Sequence, residues 1–382
     1  MLSDGSFPTL AFYGGDEMKL NILIKILFAA LAAGVLLAGC ATDKPQQTRR
    51  YVWPRLPDPP KIEWIKSYYG ENDFPKSGFE AFVELIFGQP KLPHFDKPMD
   101  IKSNSKGLVY VTDIVNEGIF IFDLENKKVD FWEKRTDPDA GLAITPYFID
   151  LDDKNNIYVV GTGRKEIFVL DPKGGLVRRI DFTEKVKNPG GIAVDSKGGR
   201  IYLVDISDSK VAVFDLEGKP LFTFGKKGEG AGEFNRPLPI TINNKGEIIV
   251  GDTVNSRIQI FDRDGKFLRK FGERGDSAAS FQIIKGVAVD SEDNIYVTDG
   301  KANQLKIFNT KGEALIAIGA AYSVANTMKE APGGFLLPQG IDIDKTDSIF
   351  IVDSINMRFQ QFKYLKDGGS GDKAPAASEG KK

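Results

Sequence analysis

Five aspartates, Asp113, Asp205, Asp252, Asp299 and Asp353, each close a short apolar run, as in Val109-Tyr-Val-Thr-Asp113 and Ile295-Tyr-Val-Thr-Asp299. A ring of carboxylates supplies the oxygen ligands that a hard cation needs. An aspartate at a strand end equally accepts hydrogen bonds from the backbone of the turn that follows, and recurrence in copy after copy reads as punctuation of a repeat. Lys210, Arg257 and Arg358, near the ends of those turns, are then partners for loop or neighbouring carboxylates. A less regular pair stands apart. Aligning the innermost apolar runs puts Ile101, Asp150, Ala193, Thr241, Ala288 and Asp342 in one position, so two copies carry a carboxylate where the others are small or uncharged. If Asp150 and Asp342 face a common channel they could hold Ca²⁺. Their copies are not adjacent, and hydrogen bonding between neighbouring repeats is the competing use.

Other chemistry is sparse. The single histidine, His94, precedes the first repeat, so neither a histidine-rich zinc site nor a Ser-His-Asp triad can form within the repeats. The single cysteine, Cys40, allows no internal disulfide and no haem attachment motif. Asp262-Arg-Asp-Gly265 opens like a calcium loop but lacks the rest of its ligands, and the glycine-rich stretch 225–233 lacks the Gly-Lys-Ser/Thr ending of a phosphate-binding loop. No catalytic residues are assigned. A net charge of −2 gives no basic field for nucleic acid.

The elements that must position these residues repeat. Second strands read Val109–Asp113, Ile157–Gly161, Ile201–Asp205, Ile248–Asp252, Ile295–Asp299 and Ile349–Asp353, spaced roughly 44 to 54 residues apart, the interval of propeller blades. Each copy is a four-stranded antiparallel meander of strands of about five residues. The second strands are almost continuously apolar because each sheet packs against two neighbours. The sixth copy lacks its outer strand, and one unpaired strand, Ile62–Tyr69, is left over at the N-terminal side. Pairing that strand with 359–364 completes the ring. The expected fold is an all-β six-bladed propeller over 61–365, with a helical insertion at about 79–88 and a disordered tail over 366–382. Connections between blades are long at 225–238, 272–284 and 319–337, and they lie at the same end as the turns joining second to third strands; function is expected there.

From Met18 the chain reads as an export signal: Lys19 and Lys25, an apolar core over Ile26–Leu36, then Leu37-Ala38-Gly39-Cys40. This resembles a bacterial lipobox, which implies acyl chains on Cys40 and a mature protein tethered to a membrane. With about 0.8 kcal/mol per buried CH₂, more than one chain anchors stably. An uncleaved membrane helix is the alternative, against which Lys25 and the Leu-Ala-Gly-Cys ending stand. Ala41 rather than Asp after the cysteine points to the outer membrane. Residues 1–39 are thus extension and signal peptide, and 40–60 a proline-rich linker, to which Tyr51 and Trp53 add apolar groups able to pin part of it to the domain.

The register of Gly191-Ile-Ala-Val-Asp195, Ile201-Tyr-Leu-Val-Asp205, Gly225 to Pro237 and Asn255-Ser-Arg-Ile-Gln-Ile-Phe-Asp262 resembles NHL repeats over about 97–365, most strongly from 188 to 309. Copy two departs from it with Gly161 in place of Asp. NHL propellers are mostly interaction platforms, so the resemblance implies a non-enzymatic protein-binding or scaffolding module whose partner is an envelope protein or assembly, working without a cofactor. Amidating lyases among the relatives use histidine-bound zinc, which this chain does not provide. Two alternatives remain: a calcium-dependent lactonase-like hydrolase using Asp150 and Asp342, and a sensor of cell-wall glycans or peptides.

Overall fold

Short runs rich in Val, Ile, Tyr and Phe, separated by Gly, Asp and Asn turns, leave little choice but a series of hairpins. The computed structural model describes residues 50–366 except 56–57, 75–77, 79–91, 105, 138 and 140. The export signal, Cys40, the helical insertion and the tail from 367 onward lie outside the described residues. Those described form six antiparallel sheets: blade 1 over 98–133, blade 2 over 145–181, blade 3 over 189–224, blade 4 over 240–271, blade 5 over 284–318, and blade 6 from Pro338–Ile343, Ser348–Asp353 and Arg358–Tyr364. Each innermost strand packs against the next, and that of blade 6 packs against that of blade 1. The sheets form a ring.

Blade 6 is completed by Ile62–Tyr68, which pairs antiparallel with Arg358–Tyr364. Tyr51–Trp53 then adds a fifth, outermost strand to that sheet, inside the stretch assigned to the linker. Aromatic packing explains its place: Tyr51 meets Trp64 edge-on at 5.8 Å and Trp53 lies 6.0 Å from Phe362. The core is a set of apolar layers between blades rather than one centre, with the second and third strands buried along almost their whole length.

The long inter-blade loops repeat one another. Gly225, Gly272 and Gly319 all take positive φ (86°, 88° and 109°), and a Cβ on any of them would run into the ring of Phe234, Phe281 or Phe335 respectively. Those three phenylalanines are fully buried, so each loop is anchored at its centre before any polar contact is counted.

Candidate functional site: the loop end and the channel funnel

The five strand-end aspartates are all fully buried. Asp113 accepts from the backbone N–H groups of Asp96 and Lys97 in the chain entering its blade and from Val115 and Asn116 in its own turn, at 2.8–3.1 Å. Asp205 does the same with Lys187, Asn188, Ser207 and Asp208. Each carboxylate therefore ties the turn after its strand to the loop arriving from the previous blade, the turn-bonding use of these residues.

In blades 4 to 6 a buried cation joins the knot. Arg257 donates to Asp252 at 2.8 Å and to the carbonyls of Gly230 and Glu233, both at 2.8 Å. Arg358 donates to Asp353 at 2.9 Å, to Gly334 O at 2.8 Å, and to Ser67 Oγ and Tyr69 OH at 3.2 Å. In blade 5 the residue in register with these arginines is Gln304, and the cation comes two residues later. Lys306, 0% exposed, donates to Ser280 O at 2.6 Å and lies 3.2 Å from Asp299. The swap is compensated, since Gln259 and Gln360 stand where blade 5 has Lys306 and donate to the loop carbonyls of Glu233 and Gly334. The three long loops are thus held rigid by charge-assisted bonds to their own carbonyls. In blade 2 Gly161 replaces the aspartate because the backbone of Thr145 approaches too closely for any Cβ.

The channel differs from the sequence alignment by one residue in blade 1. Asp150, Ala193, Thr241, Ala288 and Asp342 pair with Tyr158, Tyr202, Ile249, Tyr296 and Phe350, but Tyr110 pairs with Lys102, not Ile101. The bulge over Met99 and Asp100 has the same place as those after Pro189 and Pro338 in blades 3 and 6, so Ile101 matches Ile192 and Ile341; Ser103, a polar residue where other blades carry an apolar one, hides that register in the sequence. Lys102 thereby joins Asp150 and Asp342. Blade 1 stands between blades 2 and 6, and the Lys102 ammonium lies 3.4 Å from Asp150 and 3.3 Å from Asp342. Burial opposes its charge, but Asp150, Asp342 and Asp100 together hold it above the usual lysine range. Each acid also bonds to the next blade: Asp342 accepts from Ser103 N and Oγ, Asp100 from Ile149 N, and Asp150 from Val194 N. Among the described residues no group of three or more His, Cys, Asp or Glu side chains is arranged to hold a metal. A cation placed at Asp150 and Asp342 would have to displace the Lys102 ammonium.

Burial pushes the Asp100 carboxyl up to about 6 against the pull of Lys102, and raises Asp150 for the same reason. A carboxyl whose folded value exceeds its unfolded value favours the folded state at low pH, and the benefit is lost as pH rises through the folded value. The stability of the wild type relative to Asp100→Asn should therefore fall between about pH 4 and about pH 6. Thermal unfolding of both proteins across that range checks it, and a flat difference rejects it.

Above this charged floor the channel widens into a funnel of about 360 Å³. Its wall is set by bulges at the start of the innermost strands, which turn Met99, Tyr147 and Lys285 out of the sheet alternation, with Gln339 at the same place in blade 6. The bulge backbones are fixed across blades: Thr112 donates to Tyr147 O at 3.0 Å and Thr298 to Gln339 O at 2.5 Å. Ile192, Ile206 and Leu238 supply apolar wall. Sequence reasoning missed this ring, because bulged residues break the period that it relies on. The Pro-x-Gly and Pro-Gly-Gly openings of blades 6 and 3 were the available signal.

Against known proteins, a family described as a 6-bladed beta-propeller matches residues 184–250. A human E3 ubiquitin-protein ligase, NHLRC1, is 34% identical over 62 residues, 16% of this chain and 16% of its own length. The chain therefore spans only a small part of that relative. Three solved structures share the fold. A streptogramin B lyase has a TM-score of 0.52 at 16% identity, over 72% of this chain and 96% of its own. A gluconolactonase from Xanthomonas campestris has 0.52 at 14%, over 79% and 98%. An auxiliary nutrient binding protein from Bacteroides thetaiotaomicron has 0.53 at 14%, over 71% and 69%. At these identities they speak for architecture and not for chemistry. The repeat register, the family match and the ring of six sheets together make this chain an NHL-like six-bladed β-propeller.

Proposed function

We propose that the protein is a lipid-anchored module of a bacterial envelope, held to the outer membrane through Cys40, whose propeller binds a protein partner at its loop end without catalysing a reaction. The observation that carries this reading is the surface of that end. Val115, Val254, Ile355 and Met357 stand exposed on the turns between second and third strands, and Met328, on the 319–337 loop, is 85% exposed. Val115 is presented by a turn that buried Asp113 holds, and the others by turns and a loop that Asp252 and Asp353 hold together with Arg257 and Arg358. Apolar side chains on a pre-ordered surface lose little entropy on binding and suit a protein interface.

The test is crosslinked affinity purification from intact envelopes. Wild type should yield a stoichiometric partner joined through the 225–238, 272–284 or 319–337 loops, and Cys40→Ala should lose both membrane fractionation and most of that partner. A Val254→Glu, Ile355→Glu double variant should lose the partner while keeping its thermal stability, since exposed substitutions of this kind change stability by about 0.5 kcal/mol or less. Recovery of no partner from wild type rejects the scaffold reading. The calcium-dependent hydrolase alternative, with Asp150 and Asp342 as its cation ligands, has a separate test. It requires bound Ca²⁺ in the purified protein and loss of turnover in Asp150→Asn.

A further inference from the structure

We propose that the funnel is a binding site for a small organic monocarboxylate, its carboxylate held by Lys285 beside the Gln339 amide and its apolar remainder seated against Ile192, Ile206 and Leu238. Among the described residues Lys285 makes no ion pair or hydrogen bond, although it lies half-buried in the cavity wall. Two lysines placed deeper in the ring differ from it: Lys102 has two carboxylates within 3.4 Å and Lys306 has Asp299 at 3.2 Å. Gln339, on the neighbouring blade, is 6% exposed and lines the same cavity, and its side-chain amide has no partner among the described residues. Neither group's polar atoms are sealed off from the cavity, so the ammonium and the amide both remain free to bond an acceptor placed there.

The local fold makes room for this arrangement. Lys285 sits at a bulge, out of the alternation of its strand, and a Cβ on Gly300 would stand 2.7 Å from its Cγ. Only glycine at 300 leaves the lysine stem its course over the end of the second strand. Burial with no counter-ion pulls the Lys285 amine below the usual lysine range.

Charge decides the class of ligand. On the floor Lys102 is enclosed by Asp150, Asp342 and Asp100, so its charge is taken up there, and Lys285 is the lysine of the funnel wall with no carboxylate beside it among the described residues; the acidic surplus of the floor disfavours a second negative charge on the ligand. Size decides the rest. A cavity of about 360 Å³ is at the small end of ligand pockets, whose walls are mostly apolar with a few placed polar groups. This inference does not depend on protein docking at the loop tips, and the two are read by different experiments.

Calorimetric titration of the purified full-length chain tests it, using 3-phenylpropanoate, octanoate and indole-3-acetate as probes, with 3-phenylpropanamide as the neutral control and phenyl phosphate as the dianion. At least one carboxylate should bind saturably, and 3-phenylpropanamide should bind at least tenfold more weakly than 3-phenylpropanoate. Lys285→Met, which keeps the stem and removes the charge, should lower carboxylate affinity at least tenfold with an unchanged unfolding temperature, and Lys285→Arg should retain most of it. Gln339→Leu provides a second, independent loss. Absence of saturable binding by all three carboxylates up to about 10 mM, equal binding of acid and amide, tighter binding of phenyl phosphate, or full affinity in a folded Lys285→Met variant each overturns the proposal.

Discussion

A chain lacking residues 61–70 should not reach the native ring: its cooperative thermal transition should disappear or fall by tens of degrees, with dye-accessible apolar surface and aggregation in its place. The removed strand carries Ile62 and Tyr68, both buried, with Tyr68 stacked on Phe359 at 4.7 Å. Burying side chains of this size is worth about 1.5–3 kcal/mol each. The deletion also bares the ladder groups of Arg358–Tyr364 and removes two acceptors of the Arg358 guanidinium, Ser67 and Tyr69. The total is on the order of 5 kcal/mol or more, comparable with the whole stability of a typical domain. Removing only 50–55 takes away a three-residue outer strand and should cost about 1–2 kcal/mol by the same reckoning. A synthetic peptide spanning 58–74, added to the 61–70 deletion, should restore part of the transition. If the deletion variant instead melts within a few degrees of wild type, the strand is an accessory and the ring is held by blade-to-blade packing alone.

The repeats were legible because two physical signals coincide in them. Strands buried on both faces must be apolar throughout, and the hairpins between them need Gly, Asp or Asn, so Ile201–Asp205 and its five relatives stand out without any structure. The missing outer strand of the sixth copy could be inferred by counting, since an unpaired edge is costly in a ring. What counting could not supply was the extra strand Tyr51–Trp53: three residues among prolines carry no period, and only the faces of Trp64 and Phe362 show why they order.

The site was legible to a lesser degree. The five strand-end aspartates and the partners Arg257 and Arg358 follow from spacing alone, because the knot they make is local in each blade. Lys306 escaped because its blade exchanges the cation and the amide between two positions, a substitution that preserves the charge and moves its place. Lys102 escaped through the one-residue slip in blade 1, and with it the reason that Asp150 and Asp342, on blades that do not touch, share a neighbour. The funnel ring escaped altogether. A bulge sends Lys285 out of the strand's alternation, and period-two reading has no term for a residue that belongs to neither face.

The knot around Arg358 leads to the second large effect. Arg358→Ala should destabilise the protein by about 3–5 kcal/mol, the range for removing one partner of a buried, hydrogen-bonded ion pair. It is fully buried and joins three parts of the molecule at once: Asp353 at its own strand end, the 319–337 loop through Gly334 O, and the N-terminal strand region through Ser67 and Tyr69. Arg358→Lys should recover only part of the loss, because an ammonium cannot reproduce a planar fork with acceptors on several sides. Burial already lifts the Asp353 carboxyl above its usual range even with Arg358 beside it. Without the guanidinium it rises further, so the variant's deficit should be largest near neutral pH and shrink on acidification as Asp353 takes up a proton. Denaturant unfolding of wild type, Arg358→Ala and the Arg358→Ala, Asp353→Asn pair separates the causes. The double variant should be more stable than the single one at neutral pH, since the unpaired buried charge is gone. If the two are equally unstable, lost packing rather than a stranded carboxylate is what Arg358 prevents. Because the same residue ties loop to N-terminal strand, hydrogen exchange in Arg358→Ala should quicken together at 331–336 and at 66–69, two segments far apart in the chain. Exchange confined to one of them would mean that the loop end and the edge of blade 6 are held independently.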